Sequence, residues 1–224
     1  MLTTDPYEIA NDKDIDIVVE VIGGIIPAKD IIETAIKNGK HIVTANKELL
    51  AKCGAEIFEL ARDNDVTILY EGAVAGGIPI IMPIKMSLCA NKINRIAGIL
   101  NGTTNYILTK MEEDKISYTE CLKKAQELGY AEADPTGDVE GYDTMYKIAT
   151  LANIVFNKRI DVNKIYREGI TKISDSDITH AKDLGYKIKL IGLAKLVDGD
   201  LDIRVHPMLV PVGNVISLIN NALN

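Results

Sequence analysis

Tryptophan is missing from this chain of 224 residues, and aromatic side chains make up only 5% of it. Cysteine is scarce too. Cys53, Cys89 and Cys121 are odd in number and widely spaced, which suggests neither a disulfide framework nor a zinc cluster and reads as reduced packing residues. The longest apolar stretch, Gly72 to Ile84, carries Pro79 and Pro83 and falls short of the roughly 20 residues a membrane helix needs. No charged leader followed by an apolar run opens the sequence, so the cytoplasm is the expected compartment. Basic residues number 25 against 32 acidic ones, for a net charge of −7, and no basic run exceeds a lysine pair. That balance argues against a nucleic-acid or anionic-membrane surface and leaves a small molecule as the expected partner. No GxGxxG opens a helix, and no acidic residue follows such a motif at the ribose-reading distance.

What is present begins as alternating β-rich runs and helical patterns, the signature of a parallel sheet with crossover helices. Ile15 to Val21 reads as a buried strand ended by Gly23 and Gly24, Pro27 to Asn38 as a helix stopped at Gly39, and His41 to Thr44 as the next strand. Glu48 to Asn64 carries Leu49, Leu50, Cys53, Ile57, Leu60 and Ala61 near a 3.6 period and predicts an amphipathic helix. Val66 to Tyr70 is the third strand. With no glycine fingerprint ahead of them, these units read as the later part of a nucleotide-binding fold.

The pattern changes near Ile93, so residues 1–92 are expected to form a partial, Rossmann-like dinucleotide-binding domain and 93–224 an α+β domain for substrate binding and dimerisation. A strand to Leu100 precedes the turn Asn101-Gly102 and a helix through Asn105 to Met111. Ser117 and Glu120 predict a capping box for a helix ending at Leu128 and stopped by Gly129. A further helix runs from about Gly141 to Val155. Asp198-Gly199-Asp200 between two β-rich runs predicts a hairpin. The last fifteen residues, VPVGNVISLINNALN, show no closing element.

The stretch LGYAEADPTGDVEGYDTMYK, Leu128 to Lys147, concentrates five carboxylates, Glu132, Asp134, Asp138, Glu140 and Asp143, ahead of one lysine. Such charges repel unless a cation or cationic ligand sits among them, and an amino-acid substrate would supply an ammonium. Asp143 and Lys147, spaced i, i+4, share a helix face opposite Met145, Ile148, Ala149, Ala152 and Val155. Taken alone they are a solvated ion pair worth about 0.3–0.5 kcal/mol; beside the acidic loop they become a candidate reactive pair. Lys47 follows a predicted strand at the carboxyl edge, where open α/β sheets bind ligands. Glu71 leads into GAVAGGIPII, whose carbonyls with that carboxylate suit a hard monovalent cation as well as a plain turn. Asn101 to Asn105 offers N–H groups at a helix start, suited to a carboxylate or to an ordinary cap.

VEVIGG, GKHIVTANKELLA, YEGAVAGGIPII, GILNGTTNYIL and LGYAEADPTGDVEGYDTMYK, in that order and over nearly the whole chain, resemble the successive signatures of homoserine dehydrogenase. The resemblance implies reduction of aspartate β-semialdehyde to homoserine with NADPH or NADH, and a homodimer. It makes Lys147 the proton donor and Glu132 and Asp143 amino-acid ligands. Lys47 and Gly129 match cofactor positions, and Glu71 with the carbonyls of Val74, Gly76 and Ile78 matches a sodium site. Chemically, Asp138 with Glu132 would meet the substrate ammonium, and Gly102 and Thr103 its carboxylate. The alternatives are a non-catalytic substrate-binding or dimerisation module and another two-domain NAD(P)-dependent oxidoreductase.

Overall fold

The computed structural model describes residues 2–222 and divides them into two compact units. Residues up to Lys92, together with Ala149–Val162, form the first; Ile93–Ile148 and the chain from Asn163 onward form the second. The stretch 149–162, expected with the second domain, thus groups with the first, where Arg159 pairs with Glu56 at 3.7 Å.

In the first unit, helix α1 (Pro6–Asn11) precedes strand β1 (Ile17–Glu20), helix α2 (Ala28–Lys37), strand β2 (His41–Thr44), helix α3 (Lys47–Asp63) and strand β3 (Ile68–Leu69). The strands form a parallel sheet in the order β1-β2-β3, with Val18 opposite Ile42 and Ile42 opposite Ile68. These three side chains are buried, as are Ile31, Ile32 and Ile36 of α2 and Leu49, Leu50 and Ile57 of α3. The period read over Glu48 to Asn64 is therefore largely the face α3 buries, with Cys53 and Leu60 half-buried. One expectation fails: Ile15 to Val21 is not a buried strand throughout. Ile17, Val19 and Val21 are exposed while Val18 and Glu20 are buried, because neighbouring side chains of a strand point to opposite faces.

The second unit begins with strand β4 (Arg95–Gly98), then helices α4 (Gly102–Asp114), α5 (Tyr118–Glu127), α6 (Thr136–Val139) and α7 (Tyr142–Phe156), the last continuing into the first unit's share of the chain. Strand β5 (Tyr166–Arg167), helix α8 (Asp175–Asp183) and the long strands β6 (Tyr186–Val197) and β7 (Asp200–Pro211) follow. The sheet order is β4-β6-β7-β5; β6 is antiparallel to β4 and β7, and β5 is parallel to β7. The expected hairpin turns at Asp198 and Gly199, both at positive φ (52° and 91°), which matches the right-handed twist of the strands it joins. Ser117 and Glu120 form the expected capping box, and Gly129 ends α5 at φ 75°. Gly192 of β6 sits where α7 approaches most closely: a Cβ there would meet Leu100 at 3.0 Å and Ile148 and Thr144 at 3.2 Å. Of the cysteines, Cys121 is buried, and that burial pushes its thiol up to about 11. Cys89 is exposed and is not the packing residue expected.

Candidate active site

The second unit gathers its chemistry around one asparagine. Asn101, at the N-cap of α4, accepts the Thr104 N–H on Oδ1 at 2.8 Å, so its amide is turned inward. Its Nδ2 then donates to Asp138 Oδ1 at 2.6 Å and to Asp143 Oδ2 at 2.9 Å. The same Asp143 oxygen receives Lys147 Nζ at 2.7 Å, and Lys147 also donates to the Leu100 carbonyl at 2.9 Å. Asp143 is 7% exposed, so this i, i+4 pair is far from the solvated one its spacing alone describes. Removing water strengthens a charge pair and raises the cost of losing either member. Burial, with Asp143 beside it, raises the Asp138 carboxyl above its usual range, although the hydrogen bond from Asn101 and the Lys147 charge pull the other way.

The remaining acids of the loop go elsewhere. Asp134 accepts the Thr136 N–H at 3.1 Å, ahead of the short α6. Glu140 accepts the Thr171 hydroxyl at 2.8 Å, and its carbonyl receives Arg167, whose guanidinium lies 3.6 Å over the Tyr142 ring. Glu132 is exposed, and among the described residues no hydrogen bond joins its carboxylate to the Asn101 cluster. Five carboxylates close in sequence thus become two that converge. Thr103 is buried, with its hydroxyl donating to the Tyr130 carbonyl at 2.6 Å. Asn101 takes the Thr104 N–H, which leaves Gly102 and Thr103 as the other N–H groups of this first turn.

In the first unit, the carboxyl edge of the parallel sheet is organised by Glu20, buried at the end of β1. Its Oε1 accepts the N–H groups of Ile22 and Gly23 at 2.8 and 3.1 Å, and Oε2 the Thr44 hydroxyl at 2.6 Å. Asn46 links the same glutamate to the Gly24 carbonyl and caps α3 through Leu49 N–H, directly ahead of Lys47. Lys47 is half-buried in the first turn of α3, and Gly129 leaves open space where a side chain would stand. Glu71 accepts the N–H groups of Ile80, Ile81 and Met82 at 2.6–2.8 Å. Burial alone would raise its carboxyl, but those three donors together hold it below the usual range.

Asn101 was visible only as a cap, Glu20 only as a strand residue, and the Leu100 carbonyl not at all. The one sequence signal was Asn101's place before GTTN. Its amide geometry depends on residues 37 and 42 positions away.

A parallel α/β unit with a glutamate-organised carboxyl edge, joined in one chain to an α+β unit where a half-buried lysine meets a buried carboxylate, defines a two-part architecture of the kind in which open α/β sheets bind ligands at their carboxyl edge. Comparison with known proteins narrows it. Residues 79–224 match the family model for homoserine dehydrogenase, and residues 1–71 match that for the homoserine dehydrogenase NAD binding domain. The chain belongs to the homoserine dehydrogenase family. It is 47% identical to the homoserine dehydrogenase of Neisseria gonorrhoeae over 98% of its own length and 51% of that protein's, and 47% identical to that of Pseudomonas aeruginosa over 100% and 51%. A crystal structure of a homoserine dehydrogenase from Thiobacillus denitrificans superposes with a TM-score of 0.96 at 46% identity, covering 98% of this chain and 51% of that one. A hyperthermophilic archaeal homoserine dehydrogenase in complex with NADPH superposes at 0.81 with 28% identity, covering 96% and 62%. The chain spans about half the length of the curated relatives it matches. Among the described residues no helix is long and apolar enough to cross a membrane.

Proposed function

We propose that this chain carries the substrate-handling part of a cytoplasmic, homodimeric homoserine dehydrogenase that reduces L-aspartate 4-semialdehyde to L-homoserine. The observation that carries the reading is the Lys147–Asp143–Asn101–Asp138 chain of hydrogen bonds. A bound NADPH or NADH supplies the hydride to the aldehyde carbon. The oxygen left as an alkoxide takes a proton from Lys147 Nζ, which Asp143 keeps aimed and charged. Asp138, Asp143 and Glu132 are acceptors for the substrate ammonium, and the first-turn N–H groups of Gly102 and Thr103 are donors for its carboxylate. Lys47 and Gly129 are the cofactor contacts. The ordered Glu20–Asn46 edge and the open space at Gly24 suit a nucleotide approaching closely.

The same reading puts a sodium ion beside Glu71. A carboxylate has about four lone-pair directions and three are taken by N–H groups; the carbonyls of Val74, Gly76 and Ile78, around the positive-φ residues Ala75 and Gly77, are the further oxygen ligands this reading assigns. Exposed Leu209, Val212 and Leu218 support self-association through the second unit.

The test is NADPH oxidation with aspartate semialdehyde, run on this chain and on a version extended upstream to include any glycine fingerprint, each with and without Lys147→Ala. Lys147→Ala is expected to lower kcat by about 10²–10⁴-fold with cofactor binding nearly intact. Wild-type turnover in that variant would remove Lys147 from the chemistry. Silence of both unmutated proteins would give the Asn101 cluster another ligand.

A further inference from the structure

The proposed chemistry leaves one buried cation unused. Lys189, in the middle of β6, is 1% exposed, and its three N–H groups are shared among four neutral oxygens. These are the Ile219 carbonyl at 2.6 Å, Asn105 Oδ1 at 2.8 Å, Thr109 Oγ1 at 3.2 Å and Asn220 Oδ1 at 3.4 Å. Burying an ammonium with no carboxylate in hydrogen-bond reach among the described residues is costly, and a methionine would fill the same volume without that cost. The ammonium does one thing a methionine cannot: it ties α4, through Asn105 and Thr109, to the segment after β7. Asn105 closes the knot from the other side, its Nδ2 donating to the carbonyls of Ile219 and Asn221 at 3.1 and 2.9 Å. Three residues earlier on the same helix, a Cβ at Gly102 would collide with the Ala222 carbonyl. The segment 219–222 therefore lies along the first turn of α4, and that turn is capped by Asn101, the bridge between Asp138 and Asp143.

We propose that Lys189 and Asn105 form a latch that seats residues 219–222 against the first turn of α4 and so holds Asn101 and its two carboxylates in register. Lys189 is a positioning residue, acting through Asn105 without touching substrate. Its consequence for substrate rests on the function proposed above; the latch itself does not.

Amide hydrogen exchange on the full chain tests this with Lys189→Met, Asn105→Ala and the double variant, using L-homoserine as the probe. Each single change is expected to speed exchange at residues 216–222 and at Thr104 and Asn105 by about tenfold, with β6 and β7 amides unaltered. The double variant should be no faster than the faster single one, because both cut the same tie. Homoserine should protect Gly102 to Thr104 in the wild type but not in Lys189→Met. Unchanged exchange at 216–222, additive effects, or a uniform rise across the sheet in both single variants would overturn the latch. If Lys189→Met alone loosens the whole sheet, Asn105→Ala decides, and a rise confined to the two segments upholds it. Faster segments in the variants with no homoserine protection in the wild type would uphold the latch and sink the substrate reading instead.

Discussion

Asn101 does three things with one side chain: it caps α4, separates two carboxylates that would otherwise repel, and holds the oxygen that Lys147 uses. Replacing it with alanine leaves Asp138 and Asp143 without their shared donor and Thr104 N–H without its cap. Loss of a buried charge-assisted donor costs about 1–3 kcal/mol, so Asn101→Ala should lower stability by that order in urea unfolding. It should also raise KM for the semialdehyde more than it changes kcat. An unchanged midpoint and KM would show that the bridge is incidental. The sequence made Asp143 and Lys147 legible because a helix places i and i+4 on one face whatever surrounds it. It could not tell a solvated face from a buried one, since a helical wheel carries no information about what packs against it.

Elements in this chain are set largely by local signals, and their weak points are local as well. β6 can pass close under α7 only because residue 192 is glycine. Gly192→Ala would press a methyl onto Leu100, Ile148 and Thr144, and overpacking of this kind costs about 1–3 kcal/mol. A lowered midpoint is expected, and the turnover proposed to run through Lys147 should fall with it, because Ile148 and Thr144 share its helix. A neutral outcome would mean that α7 is free to shift. The turn beginning at Glu71 depends on a charged acceptor for three backbone N–H groups. Glu71→Gln should destabilise the protein by about 1–3 kcal/mol. It should also abolish any rise in midpoint when NaCl replaces choline chloride at equal ionic strength. A sodium-dependent rise that survives the change would put the ion elsewhere.

Two titratable groups, the half-buried Asp138 and the buried Lys189, tilt the stability of the whole molecule in opposite directions. Asp138 has its folded value raised above its ordinary 3.8, by burial first and by Asp143 after it. The folded protein therefore binds more protons there, and stability falls as pH climbs from about 4 through that raised value. Lys189 is lowered from 10.5 to about 8 by burial and by Lys187, against the pull of Glu112 and Glu113. Between about pH 8 and 10.5 the unfolded chain binds more protons, so this contribution rises with pH, on the order of 3 kcal/mol in total. Urea unfolding across the pH range should show both arms. Asp138→Asn should flatten the acid arm alone and Lys189→Met the alkaline arm alone; an arm that persists in its variant belongs to another group.

Read as a sequence, the chain determined its α/β alternation, its caps and hairpin, its acidic loop and its family signatures, because each depends on residues close together in the chain. Tertiary structure alone decided which two of five carboxylates converge, that Asp143 is buried, that β1 leaves one face open and that residues 149–162 group with the first unit. It also decided that Lys189 faces Asn105, 84 positions away. Burial and convergence come from which segments pack together, and side chains far apart in sequence acquire their electrostatics only once that packing has removed the water between them.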